Sequence, residues 1–180
     1  MHRLFVAIDL PKNIKEKILG ICFGVPGAKW VGEEQIHLTL RFIGEVTGDV
    51  FNDISSSLEG ITYPKFPLTI KGVGHFPPRR HPKILWVGIE KNDSLSELKK
   101  KIDGSLKRVG LGPDDRKFHA HITLARLKNT PHQWVGRYFI EHSLFKCDPF
   151  VVNDFHLFSS FLGSKGAIHT MENTYSLKDS

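Results

Sequence analysis

The sequence has few cysteines and no long apolar segment. Only Cys22 and Cys147 occur among its 180 residues, too few for a disulfide scaffold and without the paired spacing of a zinc site. We expect both to be buried free thiols in a reducing cytosol. The apolar run at residues 4–10 is interrupted by Asp9 and is too short for a signal peptide or a membrane span. These absences predict a cytoplasmic protein that does not bind membranes.

The composition is that of a folded domain with a basic surface. Hydrophobic residues make up 40% of the chain, charged residues 24%, and there are 13 phenylalanines, which excludes wholesale disorder. The length of 180 residues suits one compact unit, or two small halves that share an interface. The net charge of +6 and the pI near 9.3 favour a polyanionic partner such as RNA, although many basic domains bind nothing anionic.

Short strands and helices alternate along the chain. Hydrophobic periodicity predicts strands at 4–10, 36–43, 66–73, 84–89, 118–127 and 150–159, and helices at 11–22, 49–58, 94–109 and 131–143. The spacing of Ser94 and Glu97 predicts a capping box at the start of the third helix. The lysines that follow at 99–101 are expected on a solvated helix face.

The same order of elements occurs twice. Ile84 follows Leu4 by 80 residues and His121 follows His37 by 84, which predicts a duplication rather than a solenoid. We therefore expect a single two-lobed domain over 1–180, with repeats of about 1–80 and 84–160. The basic loop between them, with Arg79 and Arg80, is either an RNA-binding segment or an ordinary solvated loop.

One local pattern repeats in the two halves: HLTLRF from His37 and HITLAR from His121. Successive side chains of a strand point to opposite faces. His37 and Thr39 therefore share one face of their strand, and His121 and Thr123 share one face of theirs. The residues on the opposite face of each strand are apolar. If the halves pack about an approximate two-fold axis, the two pairs face each other across one cleft.

Two facing histidines can divide the work of acid and base catalysis. With unperturbed pKa values near 6.5, one imidazole can accept a proton from water while the other protonates a leaving oxygen. Threonine hydroxyls can donate hydrogen bonds to non-bridging phosphate oxygens. The pattern thus suits in-line attack on a phosphodiester without a metal.

The histidines also have alternative explanations. A histidine on a strand is more often structural than catalytic, and it is the recurrence of the His–Thr pattern at equivalent positions of the two halves that supports a function. His119 and His121 could hold a metal, but no nearby acidic residue or cysteine completes a recognisable set, so we expect no metal site. The remaining histidines share no pattern and are expected at the surface or in loops: His2, His75, His81, His132, His142, His156 and His169.

Four segments together resemble the two-histidine phosphoesterase superfamily. They are residues 4–11 (LFVAIDLP), Trp30, residues 37–46 (HLTLRFIGEV) and residues 118–126 (FHAHITLAR). Within the superfamily the chain is most similar to the RNA 2′,3′-cyclic phosphodiesterases, also called 2′-5′ RNA ligases. The resemblance covers almost the whole chain. It implies an α+β, bilobal, duplicated fold with two antiparallel sheets, helices outside and a central cleft.

The resemblance also implies a reaction. A terminal 2′,3′-cyclic phosphate on RNA is hydrolysed to a 2′-phosphate, without cofactor or metal and with reversible 2′-5′ RNA ligation as an accompanying activity. The implied proton donor is His37 and the implied proton acceptor is His121, although the symmetric repeat does not by itself orient the pair. Such a cyclic phosphate requires a ribose 2′-oxygen, so the implied partner is an RNA end, with tRNA fragments as one candidate. No protein partner is indicated.

Two further site residues are implied by the resemblance. The family places a base-stacking aromatic five residues after the first histidine and a phosphate-contacting arginine five after the second, which are Phe42 and Arg126 here. Strict alternation directs both away from the His–Thr face unless the strands end or bulge first. Core packing is the alternative for Phe42, whereas an arginine on an apolar face would need a partner.

Three rival functions remain open at this point. A non-catalytic RNA- or nucleotide-binding module would bind without turnover. A metal hydrolase would lose its activity to a chelator. A phosphodiesterase for a small cyclic nucleotide or an ADP-ribose cyclic phosphate would not need an RNA chain.

Overall fold

A computed structural model describes residues 1–179. In chain order these residues form β1 (His2–Asp9), α1 (Lys12–Leu19), β2 (Ala28–Trp30), the 3₁₀ helix η1 (Glu33–Gln35), β3 (His37–Val46), α2 (Gly48–Glu59), β4 (Phe66–Leu68), β5 (Ile70–Phe76), β6 (Ile84–Ile89), α3 (Asp93–Arg108), β7 (His121–Leu127), α4 (His132–His142), β8 (Phe150–Val152), β9 (Asp154–Gly163) and β10 (Gly166–Ser176). No helix within this part of the chain is long and apolar enough to cross a membrane.

Two four-stranded antiparallel sheets form the two lobes. Sheet I has the strand order β10-β9-β1-β3 and sheet II the order β2-β7-β6-β5, and a small third sheet pairs β4 with β8. Helices α2 and α3 pack together against sheet I, and α4 packs against β5 of sheet II. The expected α+β fold with two antiparallel sheets is confirmed.

The lobes are not the two sequence halves. Strand β5, from the first half, pairs with β6 in sheet II, while β9, from the second half, pairs with β1 in sheet I. Each sheet therefore contains strands from both halves. Backbone hydrogen bonds within both sheets therefore join the two halves of the chain.

Strand β1 lies at the centre of sheet I and is covered on both faces. Leu4, Val6 and Ile8 point into the main core, whereas Phe5 and Ala7 form a second buried cluster with Phe158 of β9. Burial on both faces explains why residues 4–8 are all apolar instead of alternating with polar residues. The second cluster is the surface against which the first motif histidine packs.

Several predicted details are wrong. Asn92, rather than Ser94, caps α3, since its Oδ1 accepts a hydrogen bond of 3.0 Å from the backbone N–H of Leu95. Glu97 accepts a hydrogen bond from the hydroxyl of Tyr63 instead of capping the helix. Lys99 is buried and forms ion pairs with Asp103 and Asp114 at 3.0 and 2.9 Å. Its neighbours at 100 and 101 are exposed as expected.

The predicted strand at 66–73 is two strands, β4 and β5, which belong to different sheets. Strand β10 is absent from the predicted elements. It lies at the edge of sheet I and is largely exposed, so it lacks the apolar alternation on which the prediction of strands relies. Among the described residues both thiols are free, but only Cys147 is buried and Cys22 is partly exposed.

Candidate active site

A β-bulge shapes the first motif. Thr39 pairs with Ala7, and the next pair along the strands is Arg41 with Val6, so β3 holds one extra residue at Leu40. Leu40 and Arg41 are consecutive and are only 2% and 7% exposed. Because two neighbouring residues share the core face, the alternation reverses after them. Phe42 therefore returns to the face of His37 and Thr39, where it is 40% exposed.

The second motif bulges at the equivalent residue. Thr123 pairs with Trp86 and Ala125 pairs with Leu85, which leaves Leu124 as the extra residue of β7. Leu124 and Ala125 are both fully buried. Arg126 consequently emerges, exposed, on the face of His121 and Thr123.

Strict alternation would direct Phe42 and Arg126 away from the His–Thr face. That expectation is wrong for both residues, because each strand has a β-bulge just before the residue. The structure brings His37, Thr39 and Phe42 to one face of β3, and His121, Thr123 and Arg126 to one face of β7. The two strands are neighbours at the junction of the sheets, with Cα atoms of one within 8 Å of the other. All six candidate residues lie on these two strands.

Aromatic rings surround His37. Its imidazole stacks on Phe5, with ring centroids 5.0 Å apart, and on Phe158 at 5.7 Å. The ring of His169 from β10 stands edge-on at 5.0 Å. Burial is the main reason why the pKa of His37 falls to about 4. This imidazole is therefore neutral at pH 7 in the free protein.

A hydrogen bond fixes the second histidine. Nδ1 of His121 lies 2.6 Å from the carbonyl oxygen of His119. Since a carbonyl can only accept, Nδ1–H is the donor, and in the neutral ring Nε2 carries the free lone pair. The ring stands edge-on to Phe76 at 4.9 Å. Burial lowers the pKa of His121, and the hydrogen bond to His119 opposes that shift.

The surroundings of the two His–Thr pairs differ. Asp9 is the cross-strand partner of His37, whereas Gly88 is that of His121. The carboxylate of Asp9 forms an ion pair with Lys15 at 2.9 Å, and its charge raises the pKa of His37 against the effect of burial. The duplicated motif thus places the same two side chains in two different electrostatic environments.

A buried ionic network joins the first motif strand to α3. Arg41, at the bulge, donates a hydrogen bond of 3.0 Å to Asp103 and one of 2.7 Å to the carbonyl oxygen of Gly112. Asp103 also accepts a hydrogen bond of 3.0 Å from Lys99. The Arg41 side chain is 7% exposed, so it anchors β3 rather than facing solvent.

Some histidines expected at the surface lie elsewhere. His169 contacts His37, His156 is 5% exposed and bonds to Asp154 and Thr174, and His75 stacks on Phe139. A single histidine in a polar segment carries no signal of its contacts, so sequence reasoning missed the role of His169 as a neighbour of His37. In residues 1–179 no group of three or more His, Cys, Asp or Glu side chains could hold a metal ion.

A duplicated fold of two antiparallel sheets, with a His–Thr pair on one strand of each sheet, defines the class of two-histidine phosphoesterases. The family model described as LigT like Phosphoesterase matches the chain twice, at residues 8–86 and 87–169. The chain belongs to this family.

Similar proteins include two that are named RNA 2′,3′-cyclic phosphodiesterase. The one from Archaeoglobus fulgidus is 34% identical over 170 residues, which cover 93% of this chain and 96% of the relative. The one from Thermotoga maritima is 34% identical over 176 residues, 93% of this chain and 91% of the relative.

Solved structures share the fold over nearly the full length. TT0787 of Thermus thermophilus superposes with a TM-score of 0.82 at 24% identity, covering 98% of both chains. A structure of E. coli LigT complexed with 3′-AMP superposes with a TM-score of 0.80 at 25% identity, covering 99% of both chains.

Proposed function

We propose that this chain hydrolyses a terminal 2′,3′-cyclic phosphate on RNA to a 2′-phosphate, with His37 and His121 as the acid and the base. The observation that carries the proposal is the pair of His–Thr faces on β3 and β7, neighbouring strands that bulge at the same position. The relatives named above, which match over most of the chain, support the same reaction.

The hydrogen bond at His121 supports its role as the base. With Nδ1–H donated to the His119 carbonyl oxygen, Nε2 is free to accept a proton from the attacking water. The water oxygen forms a bond to phosphorus as the bond from phosphorus to the ribose 3′-oxygen breaks. His37 gives its proton to that 3′-oxygen, and exchange with solvent returns both rings to their starting states.

The environment of His37 couples its charge to substrate binding. The acid must be protonated, but burial lowers its pKa to about 4 in the free protein. A bound phosphodiester anion favours the charged imidazole and raises this pKa. The hydroxyls of Thr39 and Thr123 donate to the non-bridging oxygens and stabilise the charge that develops there.

Phe42 and Arg126 are the proposed substrate-binding residues. Beyond its bulge, Phe42 offers an exposed ring on which a base can stack. Arg126 offers a guanidinium for a phosphate oxygen. The guanidinium carbons of Arg3 and Arg116 lie 5.4 and 5.8 Å from the Phe42 ring centroid, and this positive charge favours an RNA chain over a single nucleotide.

The proposal also covers the domain organisation of the chain and the compartment in which it acts. We assign all of 1–180 to a single two-lobed domain, with repeats of about 1–80 and 84–160, and the activity to the cytosol, where free thiols such as those of Cys22 and Cys147 persist. Ligation of 2′-5′ linkages is assigned to the same site, with the 5′-hydroxyl of a second RNA in place of water: its oxygen bonds to phosphorus as the bond to the 3′-oxygen breaks. RNA ends, tRNA fragments among them, are the substrates.

The test is incubation with a short RNA ending in a 2′,3′-cyclic phosphate, in EDTA, with ³¹P NMR to locate the product phosphate. The wild type is expected to give a 2′-phosphate, and His37→Ala and His121→Ala are each expected to lose at least about 100-fold in rate. His2→Ala, at an exposed histidine of β1, is the matched control and keeps full activity.

The rival functions give different results in the same assay. RNA binding without turnover in the wild type would identify a binding module. Loss of turnover in EDTA would identify a metal hydrolase. Equal kcat/KM for the RNA and for a 2′,3′-cyclic mononucleotide would identify a small-substrate phosphodiesterase.

A further inference from the structure

His169 reaches the proposed acid from a distant strand. In a flat sheet β10 would lie about 14 Å from β3, three strand spacings away. The rings of His169 and His37 are nevertheless 5.0 Å apart, and His169 lies equally close to Phe5. The start of β10 must therefore fold back over the face of sheet I that carries His37.

A specific hydrogen bond holds this strand in place. Nε2–H of Gln35 donates to the carbonyl oxygen of Ala167 at 3.1 Å. Gln35 ends η1, two residues before His37, and its Oε1 accepts a hydrogen bond from the backbone N–H of Gly32. The segment that leads into the first motif and the strand that carries His169 are thus tied together.

The Nδ1 atom of His169 is buried and has no hydrogen-bond partner within the described residues. An imidazolium places an N–H at this atom, and a buried N–H without an acceptor is costly. The charged groups that face the two rings are Asp9 of β1, Lys15 of α1 and Glu34 of η1. Asp9 is already paired with Lys15 at 2.9 Å.

We propose that His169 is a positioning residue for His37. It closes the aromatic pocket around the His37 imidazole. As a second basic ring in contact with that imidazole, it also opposes a positive charge on His37 until an anionic phosphate binds. The catalytic consequence rests on the proposed function, but the contact itself does not. After burial, the charge of His169 is the next largest reason why the pKa of His37 is lowered. Burial also lowers the pKa of His169, and Glu34 opposes that shift.

The direct test is an NMR titration of the His37 imidazole in the full chain. Wild type is compared with His169→Phe, which keeps a ring, and with His169→Gln, which keeps polarity should the first variant fold poorly. In both, the His37 midpoint is expected to move upward by about half a pH unit, the effect in water of removing a unit charge some 5 Å away. A shift below about 0.2 unit in both would overturn the inference.

His75→Phe is the matched control. His75 also has a buried Nδ1 without a hydrogen-bond partner among residues 1–179, and it stacks on an aromatic ring, that of Phe139 at 5.4 Å. This variant makes the same chemical change outside the His37 pocket and should leave the midpoint unchanged. An equal upward shift in this control would mean that the effect is not specific to His169.

Kinetics separate this inference from the proposed function. For the cyclic-phosphate RNA, His169→Phe is expected to move the acidic limb of the kcat/KM profile upward by the same amount as the NMR midpoint. A residue that only packs would leave the limb in place, and that result would overturn the inference. An NMR shift without any turnover in wild type would instead contradict the proposed function and leave the contact between the two histidines established.

Discussion

Phe42 and Arg126 occupy equivalent positions on two strands of different sheets. Each follows a buried pair of residues at a bulge, Leu40 and Arg41 in one case and Leu124 and Ala125 in the other. Each returns to the face that carries its histidine. The duplicated backbone thus presents an aromatic ring on the His–Thr face of β3 and a cation on the His–Thr face of β7, so the two halves of the proposed site differ in chemistry.

Replacing Arg126 should weaken catalysis on charged substrates. We expect Arg126→Gln to lose roughly 10- to 100-fold in kcat/KM on a cyclic-phosphate RNA, because a charge-assisted hydrogen bond to phosphate contributes about 1.5–3 kcal/mol. Arg126→Lys should recover only part of this, since lysine cannot form the bidentate contact. Steady-state kinetics measure the effect. Arg137→Gln, at an exposed arginine of α4, is the control, and an equal loss there would contradict a specific role.

Removing the ring of Phe42 should raise KM selectively. Base stacking on an aromatic side chain is worth about 1–3 kcal/mol, so Phe42→Ala is expected to raise KM for RNA by roughly 10-fold or more while kcat changes little. Phe42→Trp should retain the affinity. Phe23→Ala, at a ring that is 59% exposed, serves as the control. An unchanged KM in Phe42→Ala would remove this residue from the substrate-binding site.

The pH profile follows from the two histidine environments. In the proposed mechanism, turnover needs His37 charged and His121 neutral. Both have a pKa below the ordinary 6.5 in the free protein, that of His37 at about 4. Above pH 6.5 both rings are neutral, so His37 lacks the proton that it must donate, and at sufficiently low pH both are charged, so His121 cannot accept one. We therefore expect a bell-shaped kcat/KM profile with its maximum below pH 6.5.

Measurement of both kinetic constants from pH 3.5 to 9 checks this profile. The kcat profile should lie at higher pH than that of kcat/KM, since bound phosphate raises the pKa of His37. His2→Ala should reproduce the wild-type curves. A flat profile, or a kcat/KM maximum above pH 8, would contradict the assignment of acid and base.

The ionic network behind β3 should matter for stability. Asp103→Asn leaves the charges of Arg41 and Lys99, each about 7% exposed at the side chain, without their shared carboxylate. Breaking a buried pair in this way costs about 3–5 kcal/mol, reduced here because Asp103 is itself 32% exposed. Urea denaturation should show a free energy of unfolding lower by about 2 kcal/mol, whereas Asp53→Asn, at an exposed residue of α2, should change it by less than about 0.5 kcal/mol. Equal stability of the two variants would show that the network contributes little.

Local sequence pattern determined much of this protein. The alternation around His37 and His121 was enough to place each histidine and its threonine on one face, since that periodicity is a property of any strand. The repeat of the motif at a nearly constant offset predicted two related halves, and the family resemblance supplied the antiparallel, two-lobed fold.

Only the tertiary structure decided how these parts meet. The exchange of β5 and β9 between the sheets depends on pairing between residues far apart in the chain. The bulges that redirect Phe42 and Arg126 arise from the register with β1 and β6, which no single segment encodes. His169 lies on a mostly exposed edge strand without a motif, and it becomes a neighbour of His37 only because the start of β10 folds back over sheet I, where Gln35 holds it.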